Sequence, residues 1–228
     1  MSQITKAVNE PILPFAAGSP ERASLQAKYD EMASQIIDIP LIIAGQEIRT
    51  GDIKNCIMPH DHKHILATYH NAGEAEANMA IDAAMEAWKT WSVTSLEERT
   101  AIFRKAAELL QGHWRDTINA ATMLNQSKNA FQAEVDAACE LIDFFNFNAQ
   151  YAEEITAKQP LISPEGMHNH LEYRPLEGFV FAITPFNFTS IAANLPSAPA
   201  LGFDVPSAAL GYDFGARNYM WEDQLGAD

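Results

Sequence analysis

Glu177-Gly178-Phe179-Val180-Phe181-Ala182-Ile183-Thr184-Pro185-Phe186-Asn187-Phe188 decides how this chain is read. The apolar, β-favouring run predicts a buried strand over Gly178–Ile183 that enters a turn fixed by Pro185. The turn then presents an Asn side chain between two aromatics. An Asn amide at a strand end suits an oxyanion, because it brings a donor dipole without a counter-charge. An Asn that bonds its own turn explains the same residue. On chemistry alone the two readings stand level.

Upstream, the pattern alternates between periods of two and about 3.6. Ser19 before Pro20 caps a helix expected over Pro20–Gln35. Ile39–Ala44 reads as a strand, Gly45-Gln46 as a turn, and Glu47–Arg49 as a second short strand; another is expected over Lys63–Tyr69. From Gly73 the residues Ala77, Ile81, Ala84 and Trp88 share one helical face. Thr94/Glu97 and Ser95/Glu98 are overlapping capping-box matches that open a helix buried through Ile102, Ala106 and Leu109 and stopped by Gly112. A helix over Trp114–Leu124 follows. A long one then runs from about Ala130 to Ala157, buried through Phe131, Val135, Ala138, Ile142 and Phe145. Lys158–Met167 is a connector, and Leu171–Arg174 a further strand. The succession is α/β.

Acidic residues outnumber basic ones by 30 to 15, giving a net charge of −15. That excess repels phosphate backbones and anionic lipid surfaces, so no nucleic-acid or membrane partner is expected. The apolar runs Ile39–Ala44 and Phe179–Ile183 are too short to span a bilayer. The N-terminal residues carry neither a basic-then-apolar secretion pattern nor an Arg-rich transit pattern, so a cytoplasmic location is expected. Two cysteines build no disulfide framework.

His60, His62 and His64 fall on one face of a strand, which is metal-ligand spacing. With no fourth ligand evident nearby, a solvated polar face is adopted and no metal site is expected. Cys139 lies in mid-helix among Ala137, Ala138 and Leu141, and Cys56 has no helix N-terminus behind it. Both read as packing residues, since a reactive thiol needs an electropositive setting. Asp136, Glu140 and Asp143 form an acidic stripe by i, i+4 and i+7 spacing, which alone reads as a solvated face.

Ile183-Thr184-Pro185-Phe186-Asn187-Phe188 followed by Ala198-Pro199-Ala200-Leu201 resembles the first cofactor-domain strand and following helix of the aldehyde dehydrogenase superfamily. The branch that oxidises L-glutamate γ-semialdehyde resembles the chain further. Its N-terminal arm is similar to Asn9-Glu10-Pro11 with Gly18 to Arg22, and its polar strand to Pro59 to His64. Its long helix is similar to Gln132-Ala133-Glu134 and Glu140 to Phe145 with Phe147-Asn148-Ala149, and a later block to Tyr173 to Phe179. The likeness spans about Val8 to Leu201.

The resemblance implies the N-terminal part of an aldehyde dehydrogenase cofactor-binding (Rossmann-like) domain with an incomplete sheet. It divides the chain into an arm and helix (1–36), a partial cofactor domain (37–201) and an unrelated tail (202–228). It implies oxidation of an aldehyde to a carboxylate with NAD, through a Cys nucleophile and a Glu-activated water. In that scheme Asn187 is the oxyanion donor and Phe188 lies beside the aldehyde. Glu140 stands near the amino-acid end of the substrate, and Ile183, Thr184, Pro185 and Phe186 line the nicotinamide side.

Beyond Leu201 the chain reads Gly202-Phe203-Asp204-Val205-Pro206 and the likeness stops. The family's ribose-binding Lys, nucleophilic Cys, general-base Glu and oligomerisation strands find no match, so the chain alone is expected to be inactive and binding of NAD by it is doubtful. Tyr212–Met220 resembles the tyrosine-aspartate core motif of RHS-repeat proteins. Two other expectations remain open: a non-catalytic module that pairs with a complete subunit through an exposed strand edge, and a broken reading frame without a selected function.

Overall fold

A computed structural model describes residues 4–202 of the 228. The RHS-like stretch Tyr212–Met220 lies outside the described residues. The first helix, α1 (Pro20–Ala33), starts where the sequence places it: the Ser19 hydroxyl accepts from the Arg22 amide at N3, with Pro20 at the first helical position.

The stretch expected as one strand over Ile39–Ala44 is instead divided by Pro40 into β1 (Ile37–Ile39) and β2 (Leu41–Ile43). Proline has no N–H for a ladder, so pairing changes partner there. β2 forms a hairpin with β3 (Gln46–Ile48), Leu41 opposite Ile48. Its turn residues are Ala44 and Gly45, both left-handed at φ 52 and 75, rather than Gly45-Gln46. Two left-handed residues match the twist of a two-residue hairpin. β1 joins a three-stranded sheet in the order β1, β5 (Asp61–His70), β4 (Ile53–Met58). β1 runs parallel to β5 and β4 antiparallel to it, with Cys56 opposite Ala67.

Four longer helical segments follow: α2 (Glu74–Trp91), α3 (Leu96–Gln111), α4 (Arg115–Gln126), and a continuous rod made of α5 (Ala130–Ala133), a π-helical turn (Glu134–Cys139) and α6 (Glu140–Ala157). Of the two overlapping capping boxes, Ser95/Glu98 is the one formed. The sheet packs on α1 and α4 through Ile39, Cys56, Met58, Leu66, Tyr69 and Leu124. α3 packs on α6 through Ala107, Leu110, Leu141, Ile142 and Phe145.

Two faces differ from the sequence expectation. In α3, Ile102 and Leu109 are exposed, and Ala107 and Leu110 face the core. Phe131 is 57% exposed, because the π-turn inserts an extra residue and rotates the stripe that follows it. On α2, Ala77 is exposed and Ala80 and Ala84 are the buried positions.

Neither Leu171–Arg174 nor Gly178–Ile183 forms a strand. A strand needs a ladder partner, and among the described residues none lies beside either segment. Gly178 instead bends the chain at φ 90. The Trp88 indole N–H donates to the Leu176 carbonyl at 2.7 Å, drawing the segment onto α2. The incomplete sheet leaves Phe181 and Ile183 70% and 71% exposed. The helix expected after the Asn187 turn is present as α7 (Asn194–Gly202), carrying Pro199.

Candidate active site

The site grows from the junction between α4 and α5. α4 ends at Ser127, left-handed at φ 55, and α5 begins two residues later with Asn129 as its cap. Asn129 and Gln132 exchange side-chain to backbone hydrogen bonds at 2.9 and 3.1 Å, so the corner is tightly set. Lys128 stands at that corner. Its ammonium donates to Asp136 at 2.7 Å and to the main-chain oxygen of Asn187 at 2.9 Å, and it lies 4.3 Å from the centre of the Phe188 ring. The last contact is a cation–π interaction.

The Asn187 turn is pinned on both sides. Gln126 donates to the Phe186 carbonyl at 3.2 Å, and the Thr122 and Thr189 hydroxyls meet at 2.8 Å. The buried Ser190 hydroxyl donates to the Ala137 carbonyl at 2.8 Å. Ala137 lies within the π-turn, where the widened helix leaves carbonyls for partners outside the ladder. Asn187 itself is exposed.

Glu140 lies one helical turn beyond Asp136. Burial, and after it the Asp136 carboxylate, raise its carboxyl above the ordinary range, while Lys128 pulls the other way. Asn187, Phe188 and Glu140 are thus gathered around one ammonium. Ile183, Thr184, Pro185 and Phe186 form the uncharged edge leading into the turn, with Phe186 45% exposed. That edge offers apolar surface on which a flat aromatic ring can stack.

The acidic stripe does not share one role. Asp136 pairs with Lys128, and Asp143 accepts from the Asn9 side chain and the Glu10 amide, both at 2.7 Å. The reading of a plainly solvated face is therefore corrected: two of the three acids hold other segments.

The histidines diverge. His60 meets the Ser127 hydroxyl at 2.8 Å, His64 meets the Ala33 carbonyl at 2.9 Å, and His62 is exposed.

Sequence reasoning missed Glu134. Fully buried, it takes the Arg115 guanidinium, the Asn119 amide at 2.7 Å and the Leu13 main-chain N–H at 2.8 Å. A carboxylate on the apolar side of a helix was the available signal, because such a charge must find a partner. Burial alone would lower the Arg115 guanidinium, but Glu134 and then Glu10 hold it above its ordinary value. Cys139 sits against this pair, and burial followed by the Glu134 charge pushes its thiol up to about 12. Cys56 is fully buried in β4. Both cysteines are packing residues, as their sequence settings indicate.

Among the described residues no helix is long and apolar enough to cross a membrane. Residues 48–203 match the model of the aldehyde dehydrogenase family. The chain is 51% identical over 194 residues to the delta-1-pyrroline-5-carboxylate dehydrogenase of Agaricus bisporus, covering 85% of this chain and 36% of that protein. It is 47% identical to the mitochondrial enzyme of that name from Mus musculus, covering 86% of this chain and 35% of the other. The chain therefore spans about a third of the length of the curated relatives it matches.

Among solved structures, the Mycobacterium tuberculosis delta-pyrroline-5-carboxylate dehydrogenase bound with NAD superposes with a TM-score of 0.86 at 48% identity, over 90% of this chain and 38% of that one. The family model matches well over half of the chain and includes the Asn187 turn, and on that ground the chain belongs to the aldehyde dehydrogenase family.

Proposed function

We propose that this chain supplies the oxyanion-donor and substrate-end side chains of an NAD-dependent dehydrogenase that oxidises L-glutamate γ-semialdehyde to glutamate, a step of proline breakdown. The observation that carries the proposal is the gathering of Asn187, Phe188 and Glu140 around Lys128. The printed names of the relatives support the substrate, and the NAD-bound neighbour supports the cofactor.

In this reading the aldehyde oxygen gains negative charge as a nucleophile attacks its carbon. The Asn187 side-chain amide donates to that oxygen, and being uncharged it does so without neutralising the nucleophile. Phe188 lies beside the aldehyde as an apolar wall of its site. Glu140 accepts from the α-ammonium of the substrate. Ile183, Thr184, Pro185 and Phe186 flank the nicotinamide, and NAD supplies the hydride acceptor when bound.

The chain by itself does not turn over in this reading. The nucleophile must be a thiolate. Cys56 is sealed in β4, and the Cys139 thiol stays protonated at neutral pH. Purified chain with NAD and the semialdehyde should yield no NADH. A chimera in which residues 8–201 replace the matching part of the Mycobacterium tuberculosis enzyme should yield it. A folded, inactive chimera would sink the proposal.

A second reading rests on the exposed apolar edge at Phe181, Ile183 and Phe186. There the segment pairs with a complete subunit of the same family without catalysing anything. Co-purification with a tagged complete subunit would support it, and a monodisperse chain that ignores that subunit would exclude it. We place the protein in the cytoplasm on its composition; several relatives are named mitochondrial, and cell fractionation decides between the two.

A further inference from the structure

We propose that Lys128 is a positioning residue of the substrate end: its ammonium ties the turn bearing Asn187 and Phe188 to Asp136 and leaves Glu140 as the open carboxylate. The inference deepens the dehydrogenase reading and rests on it. Lys128 is the only basic residue between Arg115 and Lys158; with Arg115 taken by Glu134 and Arg104 by Glu153, Asp136 and Glu140 have one local cation to share. The geometry decides which acid takes it. The Asp136 carboxylate is 2.7 Å from Nζ, and among the described residues Glu140 has no ion-pair partner.

The same ammonium bonds the Asn187 main-chain oxygen and sits over Phe188. One charged group therefore links the donor turn to the acidic helix face. The ties to this turn from Gln126, Thr122 and the Ala137 carbonyl reach residues 186, 189 and 190 and are uncharged. Lys128 addresses Asn187 itself. Its ammonium meets a carboxylate, a main-chain oxygen and a ring face, so it acts as a charge and a tether. The charged groups facing Glu140 are Asp136, Asp143 and Lys128. Loss of Lys128 leaves two neighbouring acids one turn apart without compensation, which disfavours ionisation of Glu140.

The test uses the full 228-residue chain carrying 4-fluorophenylalanine, with the Phe188 line assigned by Phe188→Leu, together with carbon NMR of the side-chain carboxyls. Lys128→Met is expected to move the Phe188 fluorine line by more than its width and to make Glu140 titrate at higher pH. Lys128→Arg, which keeps the charge and the donors, is expected to restore both. Asp136→Asn removes the anchoring acid without touching Lys128 and is expected to move the Phe188 line as well; it decides the matter should Lys128→Met fail to fold.

An unchanged Phe188 line in either folded variant would overturn the proposal. So would a Lys128→Met chain whose lines shift throughout, since that would make Lys128 a general structural residue. The dehydrogenase reading falls on chimera turnover and not on these spectra, so the two failures are distinct.

Discussion

Arg115 on α4 forks onto Glu134 in the π-turn, its Nε lying 3.2 Å from both carboxylate oxygens, and the carboxylate has no exposed surface. Arg115 also donates to the Pro11 carbonyl at 2.8 Å and to Glu10 at 2.5 Å. The N-terminal arm is thereby fastened to the helices that carry the site. A buried ion pair costs desolvation, so its retention is an organising feature more than a net source of stability.

Removing one partner leaves the other charge buried and uncompensated. Glu134→Ala or Arg115→Ala should each destabilise the chain by about 3–5 kcal/mol, read as a fall in the urea midpoint. Replacing both together by Leu and Met should cost clearly less than the sum of the two single changes.

The Cys139 thiol contributes through its proton. Its folded value, about 12, lies above that of an unfolded thiol. The stability it contributes is complete below the unfolded value and is lost as pH rises from there towards 12. Native chain should resist iodoacetamide at Cys139 at pH 8 and react there only when unfolded in guanidinium. Cys139→Ala should flatten the alkaline fall in stability.

The exposed apolar edge at Phe181 and Ile183 should drive self-association of the isolated chain. Phe181→Ser with Ile183→Thr should lower light scattering at equal concentration and change the thermal midpoint little, because both side chains are already mostly in water.

Asn187 is an exposed residue. In the chimera, Asn187→Ala should leave the melting temperature unchanged and cut kcat by about 10²–10³-fold, the usual cost of one lost oxyanion donor. Glu140→Gln should act mainly on KM for the semialdehyde.

Local signals were legible where local chemistry decides. Ser19-Pro20 and Ser95/Glu98 place the starts of α1 and α3, because a cap bonds backbone within three residues. The phase of the long rod was not, since nothing local announces a π-turn, and so Phe131 and not Ala133 was expected inside. β4 was missed because Ile53-Lys54-Asn55-Cys56-Ile57-Met58 does not alternate cleanly; its pairing with β5 supplies what its own pattern lacks. Glu177–Ile183 reads as a strand by composition, yet a ladder also needs a neighbour.

Asn187, Phe188 and Glu140 were reached through resemblance. Lys128 was not, because its tie to Asn187 crosses 59 residues of chain and no spacing rule records it.

The most direct measurement is the initial rate of NAD reduction by the chimera carrying residues 8–201 of this chain, supplied with L-glutamate γ-semialdehyde. The account predicts turnover that depends on Asn187. A folded chimera that binds NAD but produces no NADH would contradict it.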